Sequence, residues 1–273
     1  MGKLAKLNRE TFFKTHPICI FCGGNTRANT KEHCPPKALF ERRVWPNGFE
    51  FAACANCNNG TSGDDVVVAL LGRFGREHLK LQDGRTIGVM RNANNQHPEM
   101  FPKMLDITPI QARKTAKELG VTRPPGLTYQ QSGIVNVTPH MDTAVATLAK
   151  KLSKAIFYKE TNKIFPANGE IQFNWFTNAN LLKLGFIPAL QAFANIEAKT
   201  PSISRNGRDL KDQFNYRFSL SSDHELAVLQ AVFGSVFGFL TIMSAKPGVL
   251  ARIDSELQAA NPDKSNPFRF LQP

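Results

Sequence analysis

Beyond Cys57 the chain has no cysteine: all five lie between Cys19 and Cys57 in a sequence of 273 residues. A secreted fold stapled by disulfides spreads its cysteines along the chain, so this confinement argues against that class and for a knuckle of reduced, metal-binding thiols. The opening stretch Met1-Gly2-Lys3-Leu4-Ala5-Lys6 lacks the apolar run of a signal peptide, which makes the cytoplasm the expected compartment. No internal repeat is visible. Acidic side chains are scarce, 22 against 34 basic ones, for a net charge of +12. Residues 1–65 hold nine basic and six acidic residues, so most of the excess lies in 66–273. Such a surplus favours a polyanionic partner, nucleic acid above all. With 42% hydrophobic and 21% charged residues the composition excludes wholesale disorder. The length leaves room for a small module and a larger domain.

One stretch lacks charge altogether. Leu226 to Ala245 runs 20 residues without an ionisable side chain, long enough to cross a bilayer. It is interrupted by Gln230, Gly234, Ser235 and Gly238, and it is dense in Val and Phe. The flanking charges would put the cysteines on the outer face, against the reduced state their spacing implies. Two buried strands turning near Gly234-Ser235 are therefore expected, and no membrane partner.

The rest divides by pattern. Residues 1–15 read as a basic lead-in with Phe12 and Phe13 docking on the core, and a knuckle module runs from about His16 to Asp65. Ser62 can cap a helix, Asp64 and Asp65 complement its positive end, and Val66, Leu70 and Phe74 recur every fourth residue. From Gln82 to Gln96 turn residues surround a short strand expected at Thr86–Met90. Six prolines between residues 98 and 139 leave space for a helix at about Pro109–Leu119. Asp142 then caps a long helix to about Lys163, whose stripe is Val145, Leu148, Leu152, Ile156 and Lys159. Lys150, Lys151 and Lys154 lie off that stripe, as a nucleic-acid face or simply as its solvated side. Strands are expected at Glu170–Thr177 and Phe214–Ser219, and an irregular tail from Asn261. The fold class is α+β, divided into a module with its following helix at 1–81 and a mixed helix and antiparallel-strand domain at 82–273. That domain would serve substrate choice, regulation or partner contact. Self-association and protein partners are left open.

What is present is concentrated in the first 60 residues. Cys19-Ile-Phe-Cys22 and Cys54-Ala-Asn-Cys57 are two C-x-x-C knuckles, the spacing with which thiolates close a tetrahedral zinc site. Cys34, the odd one, reads as a buried apolar filler. Zinc held by four cysteines is in most cases coordinatively closed and only secures a fold, so a chemical role must rest on other residues. Glu32-His33 lies between the knuckles and Asn58 directly follows the last cysteine.

That constellation resembles the HNH endonucleases of the ββα-metal (His-Me finger) superfamily, in particular the endonuclease VII type of phage resolvase. The Pro35-Pro36 pair after the histidine is similar to the family's H-x-x-P continuation. The resemblance covers roughly residues 16–65. It implies an N-terminal ββα-metal module in which His33 is the general base, and Glu32 and Asn58 hold a catalytic Mg2+ or Mn2+ ion. Cys19, Cys22, Cys54 and Cys57 would hold structural zinc. The residue types suit phosphodiester hydrolysis: a neutral imidazole can take a proton from water, and oxygen ligands suit a hard cation. Arg27, Lys31, Lys37, Arg42 and Arg43 surround the motif and could contact phosphates. His16, His78, His97, His140 and His224 are scattered without ligand spacing and carry no expected role. The expected function is a metal-dependent endonuclease acting on nucleic acid, with DNA favoured and phage defence as one setting. The alternative is a non-catalytic zinc-knuckle nucleic-acid-binding protein.

Overall fold

The computed structural model describes residues 3–74, 84–123, 125–131, 134–185, 187–223, 225–262 and 266–271. The expected lead-in is helical, α1 (Lys3–Thr15). After it come an antiparallel hairpin, β1 (Thr30–His33) with β2 (Glu50–Ala53), and a short helix, α2 (Ala55–Asn59). Helix α3 (Ser62–Leu71) buries Val67 to Leu71. Its cap position is Thr61 rather than Ser62. The strand expected at Thr86–Met90 is instead part of helix α4 (Gly84–Gln96), which packs on α3 and buries Ala93. Tertiary packing overrides the turn-forming asparagines here, since an amphipathic segment beside an apolar helix face gains more from burial than local propensity costs.

Helices α5 (Met100–Leu105) and α6 (Pro109–Glu118) follow, and α6 lies where the proline pattern places it. Thr108 and Gln111 form a reciprocal capping box at its start. The long helix α7 (Pro139–Thr161) begins earlier than expected, capped by Thr138 with Pro139 in its first turn. Asp142 instead joins α7 to the strands that follow: its carboxylate accepts from Trp175 Nε1 at 2.8 Å and from Arg269 at 2.6 Å. Burial along α7 is not confined to one stripe. Leu148, Leu152 and Ile156 are buried, and so are Lys151, Ser153 and Lys154. Buried all round from Lys151 to Phe157, the helix lies there between two layers.

One layer is a sheet of β3 (Glu170–Thr177), β6 (Asn215–Leu220), β7 (Leu226–Phe233), β8 (Phe237–Ser244) and β9 (Arg269–Phe270), in the order β6-β7-β8-β3-β9. All its pairings are antiparallel. Between β3 and β6 the chain forms α8 (Asn178–Leu184), α9 (Pro188–Ala194) and a minimal pair, β4 (Ser204–Arg205) with β5 (Arg208–Asp209); α10 (Val249–Ala260) follows β8. The charge-free run is the β7–β8 hairpin, turning at Gly234, whose φ of +55° suits a residue without a side chain. Alternate residues Ala227, Leu229, Ala231 and Phe233 of β7 are buried, the period of a half-buried strand. Among the described residues no helix is long and apolar enough to cross a membrane. Ser153 on α7 and Thr241 on β8, both fully buried, share a 2.8 Å hydrogen bond.

The other layer is the N-terminal hairpin with α2 and α3. Phe49, just before β2, meets Phe214 and Tyr216 edge-on at 5.6 and 6.1 Å, and Phe40 meets Phe214 at 6.3 Å. One buried apolar cluster runs from Cys19 through Val68 and Leu152 to Met243, drawing on residues on both sides of position 81. That position itself lies outside the described residues.

Candidate metal centre and adjoining polar site

The first knuckle is a tight loop closed by a bridge between Ile18 and Arg27, with Cys19 N–H donating to Thr26 O at 2.9 Å. Gly23 sits inside it at φ +72°, and a Cβ there would stand 2.3 Å from the backbone nitrogen of Ala167. Glycine is required on both counts. The second knuckle follows β2 directly, with Cys54 at the cap of α2 and Cys57 within it. The hairpin thereby returns Cys54 beside Cys22, and the four sulfurs of Cys19, Cys22, Cys54 and Cys57 lie within 4.8 Å of one another. Burial raises the Cys19 thiol, and burial with crowding by the neighbouring thiols raises Cys57 well above its ordinary range. Four thiolates this close together can coexist only around a cation, and an all-sulfur donor set fits zinc.

Zinc bound by four thiolates is an anionic unit. Lys150 and Lys154 of α7 both interact electrostatically with its cysteines. Lys154 is buried and donates to Phe21 O in the first knuckle at 2.9 Å. This corrects the expectation of a solvated or nucleic-acid-binding lysine face, because Lys151 and Lys154 both point into the protein.

Lys151 turns towards β1. Its Nζ donates to Glu32 Oε1 at 2.5 Å and to Thr61 Oγ1 at 2.7 Å. Glu32 is 3% exposed, and its Oε2 finds no hydrogen-bond partner among the described residues. Asp65, in the first turn of α3, faces the same ammonium. Desolvation raises Glu32 to about 7, with Lys151 offsetting only part of it, and raises Asp65 to about 6. Burial opposes the charge of Lys151, but Glu32 and Asp65 outweigh it and push its pKa up. Two carboxylates thus share one ammonium in a dry pocket.

Glu32 and His33 are consecutive on a strand and so project to opposite faces. His33 remains partly accessible, at 22% of its side chain, and its Nε2 lies 3.0 Å from Glu50 Oε1, directly across the hairpin. Desolvation lowers its pKa in spite of that carboxylate, which keeps the ring neutral near pH 7. The ring edge rests on Trp45 at 5.0 Å. Asn58 in α2 donates from Nδ2 to Lys31 O at 3.5 Å, fastening the helix to β1. Cys34 is fully buried and burial holds its thiol well up, as a filler requires.

Around Trp45 the structure assembles a basic cluster. Lys37 Nζ lies over the indole at 3.6 Å and the Arg205 guanidinium at 3.8 Å. Desolvation lowers Lys37, and the charges of Arg43 and Arg205 lower it further. Lys37 and Arg43, proposed from sequence, therefore share a patch beside His33. Arg42 is exposed next to it in the chain, while Arg27 stands exposed on the first knuckle. Glu50, Trp45 and Arg205 are unmarked in the sequence, and Asp65 and Lys151 read there only as helix residues. The strand register pairing His33 with Glu50 could have pointed to Glu50, but nothing local places Lys151 or Arg205 at the site. No family model matches the sequence, and comparison with curated proteins and with solved structures returns no match.

Proposed function

We propose that this chain is a divalent-metal-dependent HNH-type endonuclease that hydrolyses phosphodiester bonds in nucleic acid, with DNA the favoured substrate. The observation that carries the reading is the setting of His33. It is an accessible neutral imidazole, backed by Glu50, on a hairpin locked between two cysteine knuckles and beside a basic patch. A carboxylate can only accept, so the Nε2–H of the neutral ring donates to Glu50 and the lone pair falls on Nδ1. His33 Nδ1 then takes the proton of an attacking water, and Glu50 orients the ring and stabilises the imidazolium that forms. Lys37, Arg43 and Arg205 hold the scissile strand through its phosphates. Zinc on Cys19, Cys22, Cys54 and Cys57 fixes the hairpin that presents the base.

The oxygen donors also suit a second, hard cation. Glu32 Oε2 lacks a partner among the described residues, and Glu32 and Asp65 outnumber the single ammonium between them. Glu32 and Asn58 would hold Mg2+ or Mn2+, with Asp65 as a further oxygen; when bound, such an ion stabilises charge on the leaving oxygen.

The ion pair between Glu32 and Lys151 favours a second reading, in which Glu32 is structural and the chain is a zinc-knuckle protein that binds nucleic acid without cutting it. Plasmid nicking with Mg2+ or Mn2+, against an EDTA control, separates the two. Cation-dependent cleavage that His33→Ala abolishes supports the nuclease. Binding without cleavage under both metals supports the binding protein.

A further inference from the structure

Three side chains without ligand spacing in the sequence meet beside the start of α3. His97 follows α4, Glu99 precedes α5, and His140 is the second residue of α7. One donor atom from each lies within 4.8 Å of the other two. His140 Nε2 and Glu99 Oε1 are 2.6 Å apart, and the two imidazole rings stand 5.0 Å apart between centroids. His97 Nε2 and His140 Nδ1 are both buried and find no hydrogen-bond partner among the described residues. A buried ring nitrogen without a partner is costly, and two in one cluster call for a shared ligand. Space for the His97 ring comes from Gly63, where a Cβ would lie 3.3 Å from His97 Nε2.

We propose that His97, His140 and Glu99 form a second metal centre, separate from the four-cysteine site, for a first-row divalent transition ion of the zinc type. Two imidazoles and one carboxylate suit such an ion better than magnesium or calcium, which prefer all-oxygen shells. Three protein ligands leave a coordination position for water or substrate. Binding clips the α4–α5 turn to the start of α7, the helix that carries Lys151 and Lys154. It also braces the start of α3 through Gly63.

The test is reconstitution of the full-length, metal-free protein with Co2+ alone, followed by stoichiometry and absorption spectra. Two tight equivalents are expected, the oxygen-only site on Glu32 and Asn58 favouring a harder cation. One gives the strong near-ultraviolet sulfur-to-cobalt bands of a thiolate site, and the other gives only the weak visible bands of nitrogen and oxygen ligation. His97→Ala and His140→Ala should each remove the second equivalent and leave the thiolate bands intact. Glu99→Gln, at a solvent-exposed position that does not threaten folding, should weaken the second equivalent by roughly 10–100-fold. Uptake of one equivalent by the unaltered protein would overturn the proposal. So would His140→Ala or Glu99→Gln protein that binds the second ion as tightly as the parent.

Discussion

At His33 burial and a carboxylate act in opposite senses on one imidazole. Desolvation lowers its pKa, the hydrogen bond to Glu50 raises it, and desolvation prevails. If His33 is the base, the acid limb of the cleavage rate falls below the ordinary histidine value of about 6.5. Glu50→Gln removes the raising influence, so the limb should move lower still while the maximal rate drops. A pH–rate profile of both proteins checks this, and an unmoved limb would detach Glu50 from the chemistry. His33→Ala should lower the rate by roughly 10²–10⁴-fold, with zinc content and substrate affinity nearly unchanged. Cleavage at the parental rate would end the nuclease reading, whatever the zinc content.

Between elements, the knuckles and α7 depend on each other. Cys19→Ser removes one of four thiolates, and because metal binding is coupled to folding it should destabilise the whole N-terminal layer. Elemental analysis of the native protein with a thermal melt of the variant tests this; a well-folded native protein without zinc would refute it. Lys151 ties α7 to β1 and to the start of α3. Lys151→Met strands the Glu32 carboxylate in a dry site, so Glu32 protonates there instead, at a cost of about 1.4 kcal/mol for each pH unit above its pKa of about 7. The loss should be smaller near pH 4–5, where Glu32 is protonated in the folded protein with or without the lysine. Urea melts at both pH values measure the difference, and a loss that does not vary with pH would mean that Glu32 carries no charge in the fold.

For the molecule as a whole, the raised carboxylates set a pH dependence. Glu32 at about 7 and Asp65 at about 6 lie above ordinary carboxylate values of about 4, so the folded state binds more protons between those limits. Their contribution is complete below about pH 4 and is lost as pH rises through 6 to 7. A divalent cation on the same oxygens would lower both pKa values and flatten that decline. Chemical unfolding from pH 4 to 8, with and without Mg2+, reads the effect directly. An identical slope in both series would remove Glu32 and Asp65 from the cation site.

The sequence by itself determined the local features. The C-x-x-C spacing fixed which sulfurs gather, the Gly234-Ser235 break fixed the β7–β8 hairpin, and Pro109 marked the start of α6. Each is written in residues a few positions apart, where backbone geometry leaves few alternatives. Tertiary structure decided what depends on distant partners. Lys151 is 119 residues from Glu32, and its amphipathic position on α7 looks solvated until the hairpin layer covers it. The helix at Gly84–Gln96 likewise replaces an expected strand because α3 supplies an apolar face there. His97 and His140 show no ligand spacing along the chain, yet the packing of α4 and α7 around α3 brings their rings together. Periodicity reports which face of an element is apolar. It does not report which polar groups a second layer will bury against each other, because that choice is made by contacts between segments far apart in the chain.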